Sequence, residues 1–140
     1  MALDEAKKSM MADEVPVGAL IVIEDKIIST GHNSSIKRTD PTAHAEINVI
    51  REAAIKTNNY RLTGSTLFVT LEPCIMCYGA IIHARVESLV FGAYDKKIGF
   101  SRYLDSIKDS RINHKPKIIG GILEKECSDV LVDFFKKKRD

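Results

Sequence analysis

Residues 66–84 read TLFVTLEPCIMCYGAIIHA, and this stretch decides the fold class. Its first part, Thr66–Leu71, alternates β-branched and apolar residues and predicts a strand. Pro73 suits the first turn of a helix, which we expect to continue to about Ala84. A further strand is predicted at Ser88–Gly92. A strand, a helix and a strand in succession indicate a sheet that is covered by helices.

The rest of the chain continues this alternation. The first residues have apolar side chains at helical spacing, and because no capping residue precedes them we expect the natural chain to start earlier. We predict three layers, α/β/α, although the strand order does not follow from this pattern. The other predicted elements are a strand buried on both faces at Val17–Ile23, a strand at about Ile27–Gly31, a polar loop at Asn33–Thr42, a helix started by Asp40, Pro41 and Thr42 with the apolar stripe Ile47, Ile50 and Ala54, a short strand at Lys117–Ile119, and an amphipathic last helix carrying Leu123, Cys127, Val130, Leu131, Phe134 and Phe135.

Length and composition exclude several classes of protein. A chain of 140 residues suits one domain, 1–140, and its 44% hydrophobic residues exclude a disordered chain. The net charge of +2 is too small to indicate nucleic-acid binding by itself. The longest apolar run, Val17–Ile23, is far too short to span a membrane, and Asp4 and Glu5 do not suit a secretory signal. Three cysteines make a poor disulfide framework and favour a reducing cytoplasm with a metal site.

Three residues form a candidate metal site. One helical turn brings a Cys-x-x-Cys pair back to the same side, so Cys74 and Cys77 can direct both sulfurs at one ion. His44, at another predicted helix start, adds an imidazole. Thiolate and imidazole together favour zinc over calcium or magnesium. Three protein ligands leave the fourth tetrahedral position for water, as in a catalytic rather than a structural zinc site.

Glu46 is the candidate proton carrier. Zinc with two thiolate ligands is formally neutral and acidifies water less than an all-histidine site does, so a nearby base is needed. Residues two apart on an ideal helix point about 200° apart. His44 and Glu46 can therefore share one site only if it lies at the end of the helix.

The two motifs His44-Ala45-Glu46 and Pro73-Cys74-Ile75-Met76-Cys77 form the H-x-E and P-C-x-x-C signature of the zinc-dependent deaminases. From residue 14 onward, the chain resembles the bacterial tRNA-specific adenosine deaminases. The blocks that carry this resemblance occur in the family's order: Glu14–Ala19, Asp40–Glu46, Thr70–Cys74, Gly79–His83, Val90–Ala93 and Asp133–Phe135.

The resemblance implies a cytidine deaminase-like fold, a three-layer α/β/α arrangement with a central mixed five-stranded sheet. It implies a homodimer with one zinc ion per subunit, held by His44, Cys74 and Cys77. The implied activity is hydrolytic deamination of adenosine to inosine at the wobble position of a tRNA anticodon, typically that of an arginine tRNA. Glu46 moves the protons while water attacks carbon 6 of the purine. Anticodon bases are already unpaired, so extruding one costs less than opening a duplex.

The resemblance also implies contacts with RNA. Asn33 matches a position that contacts the target nucleotide, and Asp95 matches one near the RNA backbone. Asn113 and His114 resemble a dipeptide in the loop near the bound anticodon. The chain departs from the family pattern after Asp95, where bulky residues at 97–103 replace small ones. The shape of this loop therefore does not transfer from the family.

Less specific interpretations apply to several of these residues. A structural zinc site needs a fourth protein ligand, and His32, His83, His114 or Cys127 can supply one; the neighbouring Glu46 favours the catalytic interpretation. Cys127 lies on an apolar stripe, which favours a buried thiol.

Two features of the last helix have alternative interpretations. Its periodicity favours core positions for Phe134 and Phe135 over base stacking. The run Lys136–Arg139 is equally consistent with a solvated last turn and with a tail that contacts phosphates.

Two other functions stay open at this point. Deaminases of free nucleobases or nucleosides, of the guanine or cytosine type, share the zinc signature. A catalytically silent tRNA-binding or zinc-stabilised protein is the second alternative. We expect no membrane partner and a cytoplasmic location, while the identity of the tRNA does not follow from the sequence.

Overall fold

The computed structural model describes residues 1–107 and 111–140 of the chain. Within them the strands are β1 Gly18–Ile23, β2 Lys26–His32, β3 Ser65–Leu71, β4 Ser88–Ala93 and β5 Lys117–Ile119. They form one sheet in the order β2-β1-β3-β4-β5. β1 is antiparallel to both of its neighbours, whereas β3, β4 and β5 are parallel. The predicted mixed five-stranded sheet is confirmed.

Helices cover both faces of this sheet. Their bounds are α1 Ala2–Met11, α2 Ser35–Arg38, α3 Ala45–Thr57, α4 Ile75–His83, α5 Leu104–Ile107 and α6 Glu124–Arg139, and a 3₁₀ turn at Phe100–Tyr103 precedes α5. α1 and α6 contact each other and the sheet. α3 contacts the sheet and α4, and Tyr78 and Ile81 of α4 belong to the same buried cluster as residues of the strands. The predicted three-layer α/β/α arrangement is therefore confirmed.

The core lies mainly between the sheet and the α3–α4 layer. Ile21, Leu67 and Leu89 on three strands are fully buried and belong to the same apolar cluster as Val49 of α3 and Ile81 of α4. Each such side chain contributes about 1.5–3 kcal/mol relative to an exposed one. This packing fixes the positions of α3 and α4, whose N-terminal ends carry the candidate metal ligands.

The segment between β2 and α3 differs from the prediction. The expected polar loop at 33–42 contains the short helix α2. Asp40 does not start α3, because its Oδ1 accepts hydrogen bonds from the backbone N–H (2.8 Å) and the hydroxyl (2.7 Å) of Thr42 and so closes a local turn. The helix begins at Ala45 instead.

The buried stripe of α3 also differs from the predicted one. Ala45, Val49 and Ala53 are completely buried, while the predicted Ile47, Ile50 and Ala54 are half-buried. The reason is the close approach of the helix to β2, where a Cβ at Gly31 would lie 3.2 Å from Val49. Small side chains fit this gap better than isoleucine does. None of the described helices is long and apolar enough to cross a membrane.

Candidate active site

His44 and Cys74 are the residues that directly precede α3 and α4. Both have extended backbone conformations, with φ −74° and ψ 156° at His44 and φ −72° and ψ 173° at Cys74. Cys77 lies in the first turn of α4. Because α3 and α4 pack against each other, their N-terminal ends bring these three side chains together.

The three ligand atoms have the spacing of a tetrahedral zinc site. Nδ1 of His44 lies 3.7 Å from Sγ of Cys74 and 3.5 Å from Sγ of Cys77. With Zn–N and Zn–S bonds of about 2.0 and 2.3 Å, tetrahedral geometry puts nitrogen and sulfur ligands about 3.5 Å apart. Among residues 1–107 and 111–140, no other cluster of three histidine, cysteine or acidic side chains is found. The donor set therefore fits zinc, and within those residues no fourth ligand of these types completes it.

The two cysteines differ in protonation when no metal is bound. A hydrogen bond from Cys77 lowers the pKa of Cys74 to about 4; burial opposes this, and a hydrogen bond with His44 adds to it. The same cysteine–cysteine hydrogen bond, together with burial, raises the pKa of Cys77. Cys74 is thus a thiolate at neutral pH, and metal binding has to release the proton of Cys77.

Glu46 lies beside the cluster although it is only two residues from His44. The conflict expected from helical geometry does not arise, because His44 has an extended backbone and precedes the helix. Glu46 is 4% exposed. Burial raises the pKa of Glu46 to about 7, against hydrogen bonds from its own backbone N–H and from Cys77 and the charge of His44. A carboxyl group with a pKa near neutrality can both accept and donate a proton.

The cluster opens into a cavity of about 680 Å³, a size typical of small-molecule sites. Part of the lining is aliphatic, and the segment after β4 adds charged residues. The lining residues that matter below are Val15, Val17, Asn33, His44, Glu46, Leu71, Glu72, Cys74, Tyr94, Asp95, Lys96, Lys97, Ile98, Leu131 and Phe135. The cavity therefore combines an apolar surface with a basic rim.

Asn33 and Asp95 both line this cavity. Oδ1 of Asn33 accepts a hydrogen bond from the backbone N–H of Ala45 (2.8 Å), which satisfies one of the free donors of α3. Oδ1 of Asp95 accepts from the backbone N–H of Lys97 (3.0 Å) and of Ile98 (3.1 Å). Both side chains thus shape the cavity, and their contacts with substrate stay a prediction.

Asn113 and His114 do not line this cavity. Asn113 lines a separate cavity beside α4, together with Ile75 and Gly79. Nε2 of His114 lies 2.6 Å from the carbonyl oxygen of Val86, ahead of β4 and at the opposite end of the parallel strands from Cys74. Their contact with RNA stays a prediction.

The other candidate zinc ligands have different partners. Nδ1 of His32 lies 2.8 Å from Oε2 of Glu5. Cys127 is buried against β4, where a Cβ at Gly92 would lie 2.4 Å from its Sγ. His83 lines the cavity beside α4. The interpretation of Cys127 as a buried thiol is supported, and none of these residues joins the cluster.

Phe134 and Phe135 have different environments. Phe134 is buried, as predicted, but Phe135 is 45% exposed and lines the active-site cavity, so the prediction of a core position was wrong for Phe135. Adjacent residues point about 100° apart on a helix, and α6 crosses the rim of the cavity at this point. In the basic tail, Lys138 pairs with Asp13 at 2.6 Å, whereas Arg139 lines a groove that includes Lys97 and Phe135.

Two polar residues at the site, Glu72 and Asn48, were not predicted from the sequence. Glu72 is 2% exposed and follows β3. Nδ2 of Asn48 donates to the carbonyl oxygen of His32 (2.8 Å) and to Oγ of Ser34 (2.9 Å), and so joins α3 to the segment that carries Asn33. Two signals in the sequence were available for them. Glu72 is a charged residue directly before the Pro-Cys motif, and Asn48 is a polar residue on the buried side of α3.

Known proteins are similar to this chain in sequence and in fold. A family model described as MafB19-like deaminase matches residues 1–139. The tRNA-specific adenosine deaminase of Buchnera aphidicola subsp. Baizongia pistaciae is 53% identical over 137 residues, which cover 96% of this chain and 83% of that protein. A solved structure from studies of A-to-I editing by tRNA:A34 deaminases at the wobble position of transfer RNA is 40% identical, with a TM-score of 0.88 and coverage of 93% of this chain and 95% of that one. A guanine deaminase from Bacillus subtilis is 29% identical, with a TM-score of 0.67 and coverage of 99% and 88%.

The fold and the buried glutamate beside one histidine and two cysteines place the chain among the deaminases with a cytidine deaminase-like fold. Within that class, the chain is 53% identical to a tRNA-specific adenosine deaminase over 96% of its length. The chain belongs to the family of the tRNA-specific adenosine deaminases.

Proposed function

We propose that this protein, acting as one domain, hydrolyses adenosine to inosine at the wobble position of a tRNA anticodon, and that the tRNA is an arginine tRNA. The observation that carries the proposal is the buried Glu46 beside the zinc-type cluster, in a cavity of about 680 Å³. The names of its relatives support tRNA adenosine as the substrate.

The reaction consumes one water and releases one ammonia. His44, Cys74 and Cys77 would hold one zinc ion per chain, which would act as a Lewis acid and lower the pKa of bound water. The Glu46 carboxylate takes a proton from the attacking water and delivers it to nitrogen 1 of the purine. A second proton passes through the same carboxyl group to the leaving amine, so that ammonia departs and the carbonyl of inosine forms. The low exposure of Glu46 keeps competing solvent from these transfers.

The cavity rim suits a single-stranded RNA loop. Lys96 and Lys97 supply positive charge near the opening, and Arg139 continues this charge along the adjoining groove. The half-exposed ring of Phe135 offers a stacking surface for an unpaired base. We infer that Asn33 contacts the target nucleotide and that Asp95 lies near its RNA backbone, because both residues line the cavity that contains Glu46.

A homodimer through α4 is the assembly that we propose. Ile75 and Met76 of this helix are 49% and 37% exposed, and a Cβ at Gly79 would meet no atom within 4 Å. An apolar helix face of this kind suits a second copy of the chain. Asn113 lines the cavity beside this face, so in such a dimer Asn113 and the adjoining His114 can reach RNA bound by the other subunit.

Replacing Gly79 by glutamate tests the dimer. The side chain fits an isolated subunit because the space around Gly79 is open, but it puts a charge into the proposed interface. We expect a dimer for the unchanged protein and for Gly79→Ala, and a monomer for Gly79→Glu, in analytical ultracentrifugation. A Gly79→Glu dimer of unchanged stability contradicts an interface at α4.

We place the protein in the cytoplasm, where tRNA is processed. The three cysteines are all free, which suits a reducing compartment.

Ammonia release separates the proposed function from the alternatives. The substrates to compare are an arginine anticodon stem-loop, free adenosine, guanine and cytosine, since the likeness to a guanine deaminase favours guanine as the second candidate. We expect release from the stem-loop and none from free guanine. Reaction of free bases alone excludes the tRNA activity. Glu46→Ala is the matched control, because it should keep the zinc ion and the fold while losing turnover. If the zinc-loaded unchanged protein converts none of these substrates, the catalytically silent alternative is supported.

A further inference from the structure

Glu72 is a buried carboxylate at the end of β3 whose two oxygens bind the two ends of one loop. The backbone N–H of Asp95 donates to Oε1 (3.0 Å), and the backbone N–H of Ser101 donates to Oε2 (2.8 Å). The side chain is 2% exposed. Glu72 therefore links the first and last residues of the segment 95–101 from its buried side.

That segment forms one wall of the active-site cavity. Asp95, Lys96, Lys97 and Ile98 all line the cavity. Beyond them, the loop returns to the metal-binding segment. Gly99 pairs with Cys74 as an isolated antiparallel bridge, so the wall and a metal ligand belong to one hydrogen-bonded unit.

Phe100 also anchors the C-terminal end of this loop. Its backbone N–H donates to the carbonyl oxygen of Pro73 (2.9 Å). Its ring is completely buried and stacks on Tyr78, with ring centroids 4.2 Å apart. Phe100 thus fixes where the loop ends, and Glu72 holds the loop in shape between Asp95 and Ser101.

Gly99 and Glu72 fit each other closely. A Cβ added to Gly99 would lie 2.3 Å from the carboxyl carbon of Glu72, closer than real Cβ contacts come. The carboxylate therefore fills the space that a side chain at Gly99 would need. Any side chain at this position has to push the Glu72 carboxylate away from its donors.

A carboxylate suits this position for a chemical reason. It accepts hydrogen bonds at both oxygens, and such charge-assisted bonds are stronger than neutral ones. Glutamine has nearly the same shape but offers one oxygen and one NH₂ group, so it faces one of the two backbone donors with another donor. A buried N–H left without an acceptor is costly, and the loop then moves or opens.

We propose that Glu72 is a positioning residue that sets the Asp95–Ile98 wall relative to Cys74 and thereby controls binding of the RNA substrate. It takes no part in proton transfer, which belongs to Glu46. The effect on substrate rests on the proposed function, whereas the effect on the loop does not.

The first measurement is amide hydrogen exchange of the zinc-loaded protein, with no substrate present. In Glu72→Gln the amides of Asp95 and Ser101 should exchange at least about tenfold faster than in the unchanged protein, because one or both lose their acceptor. Ser29→Ala is the matched control, since it removes another buried hydrogen bond, to the carbonyl of Val49 (2.8 Å), on β2. Unchanged exchange at both loop amides, or equal acceleration in Ser29→Ala, overturns the proposal.

The second measurement is steady-state kinetics on the anticodon stem-loop. For Glu72→Gln we expect a KM about three- to tenfold higher, the equivalent of one hydrogen bond, with kcat within about twofold and an unchanged zinc content. Gly99→Ala should give the same pattern, and Ser29→Ala should not. A fall in kcat at unchanged KM, or loss of zinc, overturns the proposal.

Two outcomes separate this proposal from the proposed function. If the unchanged protein does not deaminate the stem-loop, the proposed function fails and hydrogen exchange alone decides the role of Glu72. If Glu72→Gln does not fold, Gly99→Ala carries the same test through displacement of the carboxylate, and its loop exchange and KM decide the outcome.

Discussion

Replacing Glu46 by glutamine should stabilise the metal-free protein and at the same time abolish its activity. The two side chains have nearly the same shape, so the substitution removes the charge and the proton transfer and leaves the packing intact. In the zinc-loaded protein we expect turnover to fall by about 10²- to 10⁴-fold, the usual contribution of a positioned acid–base group.

The stabilisation follows from the burial of Glu46. Burial raises the pKa of Glu46 from 4.5 to about 7. At about 1.4 kcal/mol per pH unit, keeping the carboxylate ionised in the folded state costs about 3 kcal/mol. The folded protein binds this proton more tightly than the unfolded chain, so the cost is absent below pH 4.5 and complete above pH 7. Glu46→Gln should therefore be more stable than the unchanged protein by about 3 kcal/mol at pH 8 and by little at pH 4.5.

Urea unfolding of the chelator-treated proteins, followed by circular dichroism between pH 4.5 and 8.5, measures this difference. Glu14→Gln is the matched control, because Glu14 is also buried but accepts hydrogen bonds from the backbone N–H groups of Ile36 (3.0 Å) and Lys37 (2.9 Å). Glu14→Gln should lower the free energy of unfolding by about 1.5–3 kcal/mol, because a backbone N–H loses its charged acceptor. A Glu46→Gln variant that is no more stable than the unchanged protein at pH 8, or that keeps turnover within tenfold, refutes the reasoning.

Three further predictions concern the metal, the core and the rim. Cys77→Ser should leave less zinc on the protein after dialysis against a chelator, since a thiolate ligand is lost; equal zinc content in an elemental assay contradicts the ligand assignment. Phe100→Leu should lower the free energy of unfolding by about 1–2 kcal/mol because the stack on Tyr78 is lost, and an unchanged urea midpoint excludes that contribution. Lys97→Ala should weaken stem-loop binding and reduce the salt dependence of log K by about one unit, whereas an unchanged slope in a fluorescence titration shows that Lys97 contacts no phosphate.

The chemistry of the site was predictable from sequence because it is local. His44, Cys74 and Cys77 all lie at helix starts. One helical turn is enough to bring the two sulfurs of a Cys-x-x-Cys pair to the same side. The alternation of strands and helices likewise predicted the layers of the fold. The strand order was not predictable, since it depends on which edges pair across the whole chain.

Features that depend on distant contacts were missed or misplaced. Glu72 acquires its role only because the segment 95–101 folds back over it. Phe135 differs from Phe134 through the position of α6 at the cavity rim, which periodicity alone does not give. Asn113 and His114 lie outside the active-site cavity of one chain, and their predicted contact with RNA stays a prediction.

Sequencing an arginine tRNA after incubation with the zinc-loaded protein tests the central claim most directly. Inosine is read as guanosine, so the account predicts a change from adenosine to guanosine at the wobble position alone. The change should be absent with Glu46→Ala of equal zinc content. An unaltered anticodon, together with ammonia release from free guanine, contradicts the account and assigns the same zinc chemistry to a different substrate.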